Sequence, residues 1–374
     1  MKKILPVKID AIITSECWTY WKMAIIQTLP DYMIWLSSHL DIFQNLDSVY
    51  FGKDLKVFSN EYYSDILDIE EIKIYSISYN KIIEFIKNCI NSDFYYTVFI
   101  LKNLNNECNN LHILHDSNNI FHEIFIYGYD DENKVFNSIS ISENNYFKPT
   151  TIAYDKLKNG YLTMQKYFYY NPSQYNFKRD FSYLMSRSKV NYKYKTKDYS
   201  YDYFKKISNE AYGNRKDVSY SDIDMQFLKP FSFYSGVTCI LSTAKRLSVF
   251  NEKEITPNDY SEIRNIQTIL YKLYEHRLLI ASSMEWYEDF WTITSDELIN
   301  IRKKYLDIIS NMEVICKLYL KLLQTSDKSI INKIIDKLYL QYSAEKVILN
   351  NYYINVLDWY YNNVIGPNFK KLYN

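Results

Sequence analysis

The alternation of apolar and polar residues predicts strands in the first half of the chain. Residues 94–102 (FYYTVFILK) are a β-branched and aromatic run that is typical of a strand. The segment 112–142 resumes this pattern on both sides of residues 128–133, which are rich in glycine, aspartate and asparagine. It therefore predicts a strand, a turn and a returning strand. Residues 7–13 (VKIDAII) favour a short buried strand or an extended lead-in.

Helical spacing appears at three places between and after these strands. Apolar residues recur with a helical period from Cys17 until Pro30, and again over residues 79–91 (YNKIIEFIKNCIN). Residues 151–163 predict a strand that leads into a short helix. Both helices and strands are therefore predicted in the N-terminal part of the chain.

From about residue 200 onward the pattern is overwhelmingly helical. Thr256 and Pro257 predict one helix start, and residues 294–297 (TSDE) fit a capping box ahead of a second helix. A third helix is expected to begin near residues 326–329. Consecutive long amphipathic helices favour a bundle. We expect a first domain over residues 1–170, a junction over 171–205 and a helical domain over 206–374.

The predicted junction is unusually basic. Residues 177–206 carry nine lysines and arginines against three aspartates, interspersed with tyrosines. A solvated connecting face explains this composition, and a docking surface for an acidic partner is the alternative.

Composition narrows the classes of partner. The 374 residues contain 44 Lys and Arg and 44 Asp and Glu, so the formal net charge is zero. The charge of the whole chain therefore does not favour binding to nucleic acid or to a membrane surface. The chain has 40 Tyr and 20 Phe but only 6 Gly, and tyrosine can fill a core while keeping a hydroxyl for hydrogen bonds.

Cysteine usage and the N-terminus indicate a reducing compartment. The five cysteines are scattered, odd in number and without CxxC spacing, which argues against disulfides and a zinc finger. Pro6, Lys8 and Asp10 interrupt the apolar stretch that a signal peptide would need, and no apolar run reaches a membrane span. We therefore expect a soluble, cytoplasmic protein.

Several familiar sites are missing from the sequence. The glycines are too widely separated for a phosphate-binding loop, and neither GxSxG nor HExxH occurs. His112, His115, Asp116 and His122 could gather around a metal, but their spacing does not enforce ligand geometry. We predict no metal and no cofactor.

Cys17 and His122 are the most coherent pair of reactive residues. Cys17 lies at the predicted start of a helix, where the helix dipole and free N–H groups favour a thiolate. His122 lies on a predicted strand about a hundred residues later, which is the order of nucleophile and base in papain-like folds. A buried, unreactive cysteine is the alternative for Cys17. Cys89 and Cys316 are expected in the core, and His276, beside Arg277, is expected to be a surface or packing residue.

Two segments resemble a known family. TSECWTYW together with HEIFIYGYDDENKVF is similar to the N-terminal domain of the butirosin biosynthesis protein H family, a papain-like group related in shape to C39 peptidases. The resemblance covers roughly residues 7–165 and implies an α+β fold. It would consist of a papain-like (C39-like) cysteine-enzyme domain with an antiparallel sheet, followed by a mostly α-helical domain. It also implies an acyltransferase of antibiotic-type, nonribosomal biosynthesis.

In that reaction Cys17 would take an acyl group from the phosphopantetheine thioester of an acyl or peptidyl carrier protein. It would then pass the acyl group to an amine, with His122 as base and then as acid.

The chain departs from the family pattern at two positions. Ala11 stands where papain-like enzymes commonly place a glutamine that holds the oxyanion. Ser140 stands where an aspartate would orient the histidine, since a turn centred on residues 131–132 places residues 140–142 beside His122. Ser140 can accept a hydrogen bond from imidazole but carries no negative charge. Asp130 and Asp131 are expected to be turn formers, and Asn137 is too far along the strand.

Three functions remain open at this point. The leading hypothesis is the acyltransferase with Cys17, His122 and Ser140 at its site. The second is a cysteine hydrolase that uses the same pair, and the third is a non-catalytic binding member of the fold. The oligomeric state is left open.

Overall fold

The chain forms two compact units, each built from two stretches of sequence. A computed structural model describes residues 1–15, 17–39, 41–44, 49–52, 63–73, 76–103, 119–141, 147–170, 181–187, 199–213, 215–218, 231–252, 260–325 and 327–366. Unit 1 comprises Met1–Tyr32 and Tyr63–Thr196, and unit 2 comprises Met33–Tyr62 and Lys197–Asn374.

Unit 1 is organised around an antiparallel sheet of seven strands. Along the sheet the order is β4-β9-β5-β6-β7-β8, and β1 also pairs with β6. The strands are β1 (Lys2–Ile4), β4 (Leu67–Lys73), β5 (Phe94–Asn103), β6 (Asn119–Asp130), β7 (Val135–Ile141), β8 (Phe147–Ala153) and β9 (Phe181–Arg187).

Helices cover both faces of this sheet. On one face lies α1 (Cys17–Ile26), whose Trp21 stacks on Phe125 of β6. On the other face lie α3 (Ile82–Asn91) and α4 (Tyr154–Tyr170). Phe85 of α3 packs edge-on against Tyr96, which pairs with Ile126, the neighbour of Phe125. Adjacent strand residues point to opposite faces, so the two helix layers are separated by the sheet.

The sequence-predicted elements of unit 1 are largely confirmed. The helix from Cys17, the helix within 79–91, the strand over 94–102 and the strand-to-helix passage within 151–163 all form. Residues 7–13 form an extended lead-in without a strand. The lead-in is held to α1 by the hydrogen bond from the Lys8 amide to the Ala24 carbonyl.

The predicted hairpin forms, but its turn is shorter than expected. Residues 131–134 make the turn, and Gly128 lies within β6. A Cβ atom at Gly128 would lie 2.7 Å from the carbonyl oxygen of Lys3 and 3.0 Å from the Cα of Ile4. This glycine therefore allows β1 to approach β6 closely, a role that its local sequence does not reveal.

Unit 2 combines a small sheet with long helices. Its four-stranded antiparallel sheet has the order β10-β11-β2-β3. The strands are β2 (Asp41–Gln44), β3 (Val49–Gly52), β10 (Arg215–Val218) and β11 (Phe231–Ser235). The helices are α2 (Met33–His39), α5 (Ser200–Tyr212), α6 (Thr238–Glu252), α7 (Tyr260–Phe290), α8 (Asp296–Thr325) and α9 (Ser329–Tyr360), and a π-helical turn, Tyr361–Ile365, follows α9.

The helices of unit 2 share one aromatic-rich core. The helix α9 packs against α8, α6 and α5, and α7 packs against α8. Tyr203 of α5 stacks on Tyr287 of α7 at 3.8 Å between ring centroids, and its hydroxyl donates to the Tyr352 hydroxyl of α9. The C-terminal part is thus helical, as the sequence predicts.

Two helix starts show how local caps work here. The Leu298 amide donates to Oγ of Ser295 at 3.5 Å, which makes Ser295 the cap of α8. The Ser329 amide donates to Oδ1 of Asp327 at 2.9 Å at the start of α9. The expected start at Thr256 and Pro257 lies outside the described residues, which resume with α7.

The units divide the chain differently from the expected domains. Residues 33–62 belong to unit 2, because β2 pairs with β11 across nearly two hundred positions of sequence. Within the expected junction, residues 181–187 form β9 of unit 1. The rest of that junction up to residue 198 lies outside the described residues. In the part of the chain that is described, no helix is long and apolar enough to cross a membrane.

Candidate functional site

Cys17 is the first residue of helix α1, as the sequence predicts. Its side chain lies outside what the structure describes. Residues 19–26 of the helix are all buried. The free N–H groups and the positive dipole end at the start of a helix favour a thiolate.

The orientation of α1 is set by two aromatic residues one turn after Cys17. The indole Nε1 of Trp21 donates to Oε2 of the buried Glu123 on β6 at 3.0 Å. Tyr20 stacks on Phe147 of β8 at 4.6 Å, and its hydroxyl donates to the Ile9 carbonyl at 2.7 Å. These contacts bind α1 to the sheet and to the lead-in.

His122 lies in β6, opposite Ile100 of β5. Its side chain, like that of Cys17, is outside the described part. The pairing of β5 with β6 is regular from Asn119 to Ile126. Because Trp21 contacts Glu123 and Phe125, the odd-numbered positions of this stretch face α1. Position 122 is even-numbered and therefore has the opposite register to the positions that face α1.

Ser140 lies in β7, opposite Lys148 of β8, and it is buried. On its other side, Ile139 pairs with Phe125 of β6. Continuing that register by one residue sets Ser140 beside Ile124, two positions along β6 from His122. The placement of residues 140–142 beside His122 therefore stays a prediction, because the described pairing of β6 with β7 begins at Phe125.

The hairpin contains an irregularity that shifts its register. Ile126 pairs with Ser138, but Gly128 pairs with Asn137, so Tyr127 is an extra residue on β6. Asn137 therefore lies opposite Gly128, well along the strand from His122. This agrees with the expectation that Asn137 is too distant to orient the imidazole.

The two turn aspartates have structural partners. Oδ1 of Asp130 accepts hydrogen bonds from the amides of Glu132 and Asn133, as expected of an Asx-type turn. Asp131 pairs with Lys87 of α3 at 2.6 Å and accepts from the Tyr154 hydroxyl at 3.0 Å. The amide of Asn133 lowers the pKa of Asp130, and Lys87 lowers the pKa of Asp131.

Ala11 is buried in the lead-in, and its methyl group cannot donate to an oxyanion. The adjacent Ile12 amide donates to Oε1 of Gln27 at 2.9 Å. Gln27 thus ties the lead-in to the end of α1. Among the described residues, nothing indicates a replacement for the glutamine that papain-like enzymes place at this position.

The other described cysteines have the environment of core residues. Burial raises the pKa of the Cys89 and Cys316 thiols to about 12 and raises that of Cys239 further. A thiol in such surroundings is a poor nucleophile at neutral pH. Cys108 lies outside the described residues.

The proposed histidine cluster cannot be located, because His112, His115 and Asp116 lie outside the described residues. Within the described ranges, no group of three or more His, Cys, Asp or Glu side chains could hold a metal ion.

A buried polar cluster in unit 2 was not anticipated from the sequence. Nε of Arg277 on α7 lies 3.1 Å from Oε1 of Glu345 on α9, which also accepts from the Tyr305 hydroxyl of α8 at 2.9 Å. Nε2 of His276 lies 3.2 Å from Oε1 of Glu210 on α5. All five side chains are essentially inaccessible to solvent.

The charge states in this cluster follow from burial and proximity. Burial lowers the pKa of His276 by more than Glu210 raises it, so the imidazole is neutral. Burial alone would raise the pKa of Glu210, but His276, Lys206 and Arg277 lower it overall. Arg277 has its pKa raised by Glu345 despite burial. The cluster therefore holds an ionised Arg277 and an ionised Glu210 away from water.

The sequence does contain one signal for this cluster. Leu270, Leu273, Ile280 and Met284 of α7 are buried at helical spacing, and Arg277 falls within the same stripe. A charged residue inside an apolar stripe indicates a buried ion pair.

A scan of the chain against models of known protein families finds no match, and a search of curated protein sequences finds no significant match either.

Proposed function

We propose that unit 1 is a papain-like cysteine enzyme that transfers an acyl group from a carrier-protein thioester to an amine. The observation that supports this proposal is the position of Cys17 at the first residue of a buried helix, α1. Trp21 binds that helix to Glu123 of β6, the neighbour of His122 in sequence, whose own position has the opposite register. The resemblance of both segments to the butirosin biosynthesis protein H family supplies the substrate class.

The first half-reaction forms an acyl-enzyme. His122 takes the proton of the Cys17 thiol, and the sulfur attacks the thioester carbonyl. The carbon–sulfur bond to phosphopantetheine breaks, and the departing thiolate takes the proton from His122. The helix start favours both the Cys17 thiolate and the negative oxygen of the tetrahedral intermediate.

The second half-reaction returns the enzyme to its starting state. The acceptor amine attacks the Cys17 thioester and gives a proton to His122. The bond between the acyl carbon and Cys17 sulfur then breaks, and His122 returns the proton to that sulfur. Ser140, if it reaches the imidazole, would accept a hydrogen bond and fix its tautomer without stabilising its positive charge.

The test is intact-protein mass spectrometry after exposure to acyl thioesters of phosphopantetheine. We expect an adduct of one acyl group on the wild-type chain and on Cys316→Ala, a matched control whose thiol is in the core of unit 2. We expect no adduct on Cys17→Ala. An adduct that persists on Cys17→Ala would refute the assignment of the nucleophile.

The acceptor is then identified by product mass. Loss of the adduct only when an amine is added, with formation of the amide, supports transfer. Loss in buffer alone, with formation of the free acid, would instead identify a hydrolase that uses the same residues.

A non-catalytic binding function is the second candidate, and one observation favours it. Along β6, Glu123 and Phe125 contact α1 through Trp21. Position 122 alternates with them and so does not share their register. The rate of alkylation of Cys17 by iodoacetamide at neutral pH distinguishes the two. Alkylation that is faster than that of a free cysteine and persists below neutral pH supports an activated thiol, and alkylation slower than that of a free cysteine supports the binding function.

A further inference from the structure

Helix α9 has a stripe of exposed apolar side chains at seven-residue intervals. Leu340 is 71 % exposed, Val347 59 % and Ile354 53 %, and Tyr361, in the turn that follows, is 62 % exposed. We call these four residues the α9 stripe. Single exposed apolar residues are common on protein surfaces, but these four share one seven-residue register along a helix.

The stripe is distinct from the face that α9 uses within unit 2. Ile334, Leu338, Leu349 and Val356 of α9 are buried. That face packs against α8, α6 and α5. The stripe thus remains outward-facing after the internal contacts of α9 have been made.

Seven-residue spacing is the repeat by which one helix packs along another in a left-handed coiled coil. Between Leu340 and Val347 the exposed side of α9 has the small residues Ser343 and Ala344, and between Val347 and Ile354 it has the half-buried Asn350 and the exposed Asn351. The small side chains of Ser343 and Ala344 allow a second helix to approach closely. The stripe therefore has the form of a seam for one further helix.

We propose that α9 pairs antiparallel with α9 of a second copy of this chain, about a two-fold axis at Val347. Leu340, Val347 and Ile354 are equally spaced about Val347, so these three residues are self-complementary in this arrangement, and Tyr361 lies level with Lys333 of the other copy. Leu340 of each copy then packs against Ile354 of the other, and the two Val347 side chains meet at the axis. The same surface serves both copies, as a two-fold interface requires.

Charge supports the antiparallel direction. Lys337 and Asp358 occupy the same heptad position, three residues before Leu340 and four residues after Ile354. In an antiparallel pair about Val347, Lys337 of each copy lies within one residue of the level of Asp358 of the other, so the contact occurs twice. The exposed Asp336 is level with the same Asp358, so Lys337 lies between two carboxylates. In a parallel pair, the 21 residues between them would separate the two charges by about 32 Å along the axis. Neither residue has an ion-pair partner in the described part of the chain.

The first test is the mass of the full-length protein by light scattering over a range of concentrations. We expect the wild type to be a dimer that dissociates on dilution. Val347→Glu should raise the dissociation constant at least about 100-fold, because it removes apolar contact and sets two carboxylates against each other at the axis.

Val249→Glu is the matched control. Val249 is on α6, outside the stripe, and is 56 % exposed, close to the exposure of Val347. We expect its dissociation constant to equal that of the wild type. A wild-type chain that is monomeric at high micromolar concentration, or an equal loss of dimer in both variants, would overturn the proposal.

The second test addresses direction by charge exchange. Lys337→Asp and Asp358→Lys should each weaken the dimer, because each creates two like-charge contacts. The double variant K337D/D358K restores opposite charges at both contacts and should regain the wild-type dissociation constant. A double variant that is weaker than either single variant would contradict the antiparallel pairing.

The third test uses oxidation of introduced cysteines, with the wild type as the control for native thiols. Val347→Cys should form a disulfide-linked dimer, since the two copies of that position meet at the axis. Leu340→Cys alone should not, because its two copies lie about 21 Å apart, whereas L340C/I354C should. A crosslinked dimer from Leu340→Cys alone would show a parallel pair and refute the proposed register.

Discussion

At the scale of single residues, surroundings decide roles that local sequence leaves open. Asp130 has the role that its neighbours indicate, since Asx turns are made by local hydrogen bonds to the next residues. Gly128 does not. It stands two residues before Asp130 in a stretch typical of a turn, but its lack of a side chain serves the approach of β1. His276 is similar, because partners on another helix determine its burial.

We expect Gly128→Ala to destabilise the protein by about 1–3 kcal/mol, since the new Cβ meets backbone atoms of β1 that cannot move aside alone. Chemical denaturation of the full chain measures the change. In a chain that lacks residues 1–4 the substitution has no backbone to meet, so its cost should largely disappear. An equal cost in both backgrounds would contradict the role of β1.

At the scale of elements, the two units hold their helices by different means. In unit 1, α1 is fixed by aromatic stacking and by the hydrogen bond from Trp21 to Glu123. In unit 2, the helices α5, α7, α8 and α9 are joined by Glu210, His276, Arg277, Tyr305 and Glu345. Removing one partner of a buried ion pair is strongly destabilising, because the other charge stays buried without compensation. Packing arrangements that separate the members of this cluster are therefore disfavoured.

The contact between α5 and α7 should make stability depend on pH. Burial lowers the pKa of His276 below its ordinary value of 6.5, so the unfolded chain binds a proton that the folded chain does not. Its contribution to stability is complete above 6.5 and is lost as the pH falls from 6.5 toward the folded pKa. The loss is at most about 1.4 kcal/mol for each pH unit.

We expect His276→Gln to flatten the dependence of the free energy of unfolding on pH between 7 and 5.5. Ser283→Ala is the control, since Ser283 is buried on the same helix and does not titrate. It should destabilise the protein but keep the wild-type slope. An unchanged slope in His276→Gln would show that another group causes the dependence.

At the scale of the whole molecule, neither unit is a continuous piece of chain. Residues 33–62 leave unit 1 after α1 and supply α2, β2 and β3 to unit 2. Trp35, Leu36, Ile42, Val49 and Phe51 from this segment are fully buried. Lys272 of α7 also donates to the Val49 carbonyl at 2.6 Å. The helical part of the chain therefore depends on the first fifth of the sequence.

We expect the fragment 197–374 to lack a cooperative unfolding transition, although it contains all the long helices. The five missing buried side chains stabilise by about 2 kcal/mol each, and together they are comparable with the whole stability of a domain. A second fragment, in which residues 33–62 are joined by a flexible linker to 197–374, should regain the transition. Thermal unfolding followed by near-UV circular dichroism compares the two fragments. Cooperative unfolding of 197–374 alone would contradict this dependence.

The sequence by itself determined the features that depend on neighbouring residues. The helix that begins at Cys17, the hairpin closed by residues 131–134, the Asx role of Asp130 and the helical C-terminal part all follow from periodicity and local hydrogen bonding. These patterns repeat within a few residues, so a short window of sequence contains them.

Only the tertiary structure decided the features that join distant residues. Glu123 has the register of the residues that contact α1, and position 122 does not, because of the way in which the helix packs on β6. The assignment of residues 33–62 to unit 2 depends on the pairing of β2 with β11. The contacts of His276 and Arg277 depend on helices 60 to 70 residues away. A sequence pattern specifies which residues seek burial, but the packing of whole elements decides which of them meet.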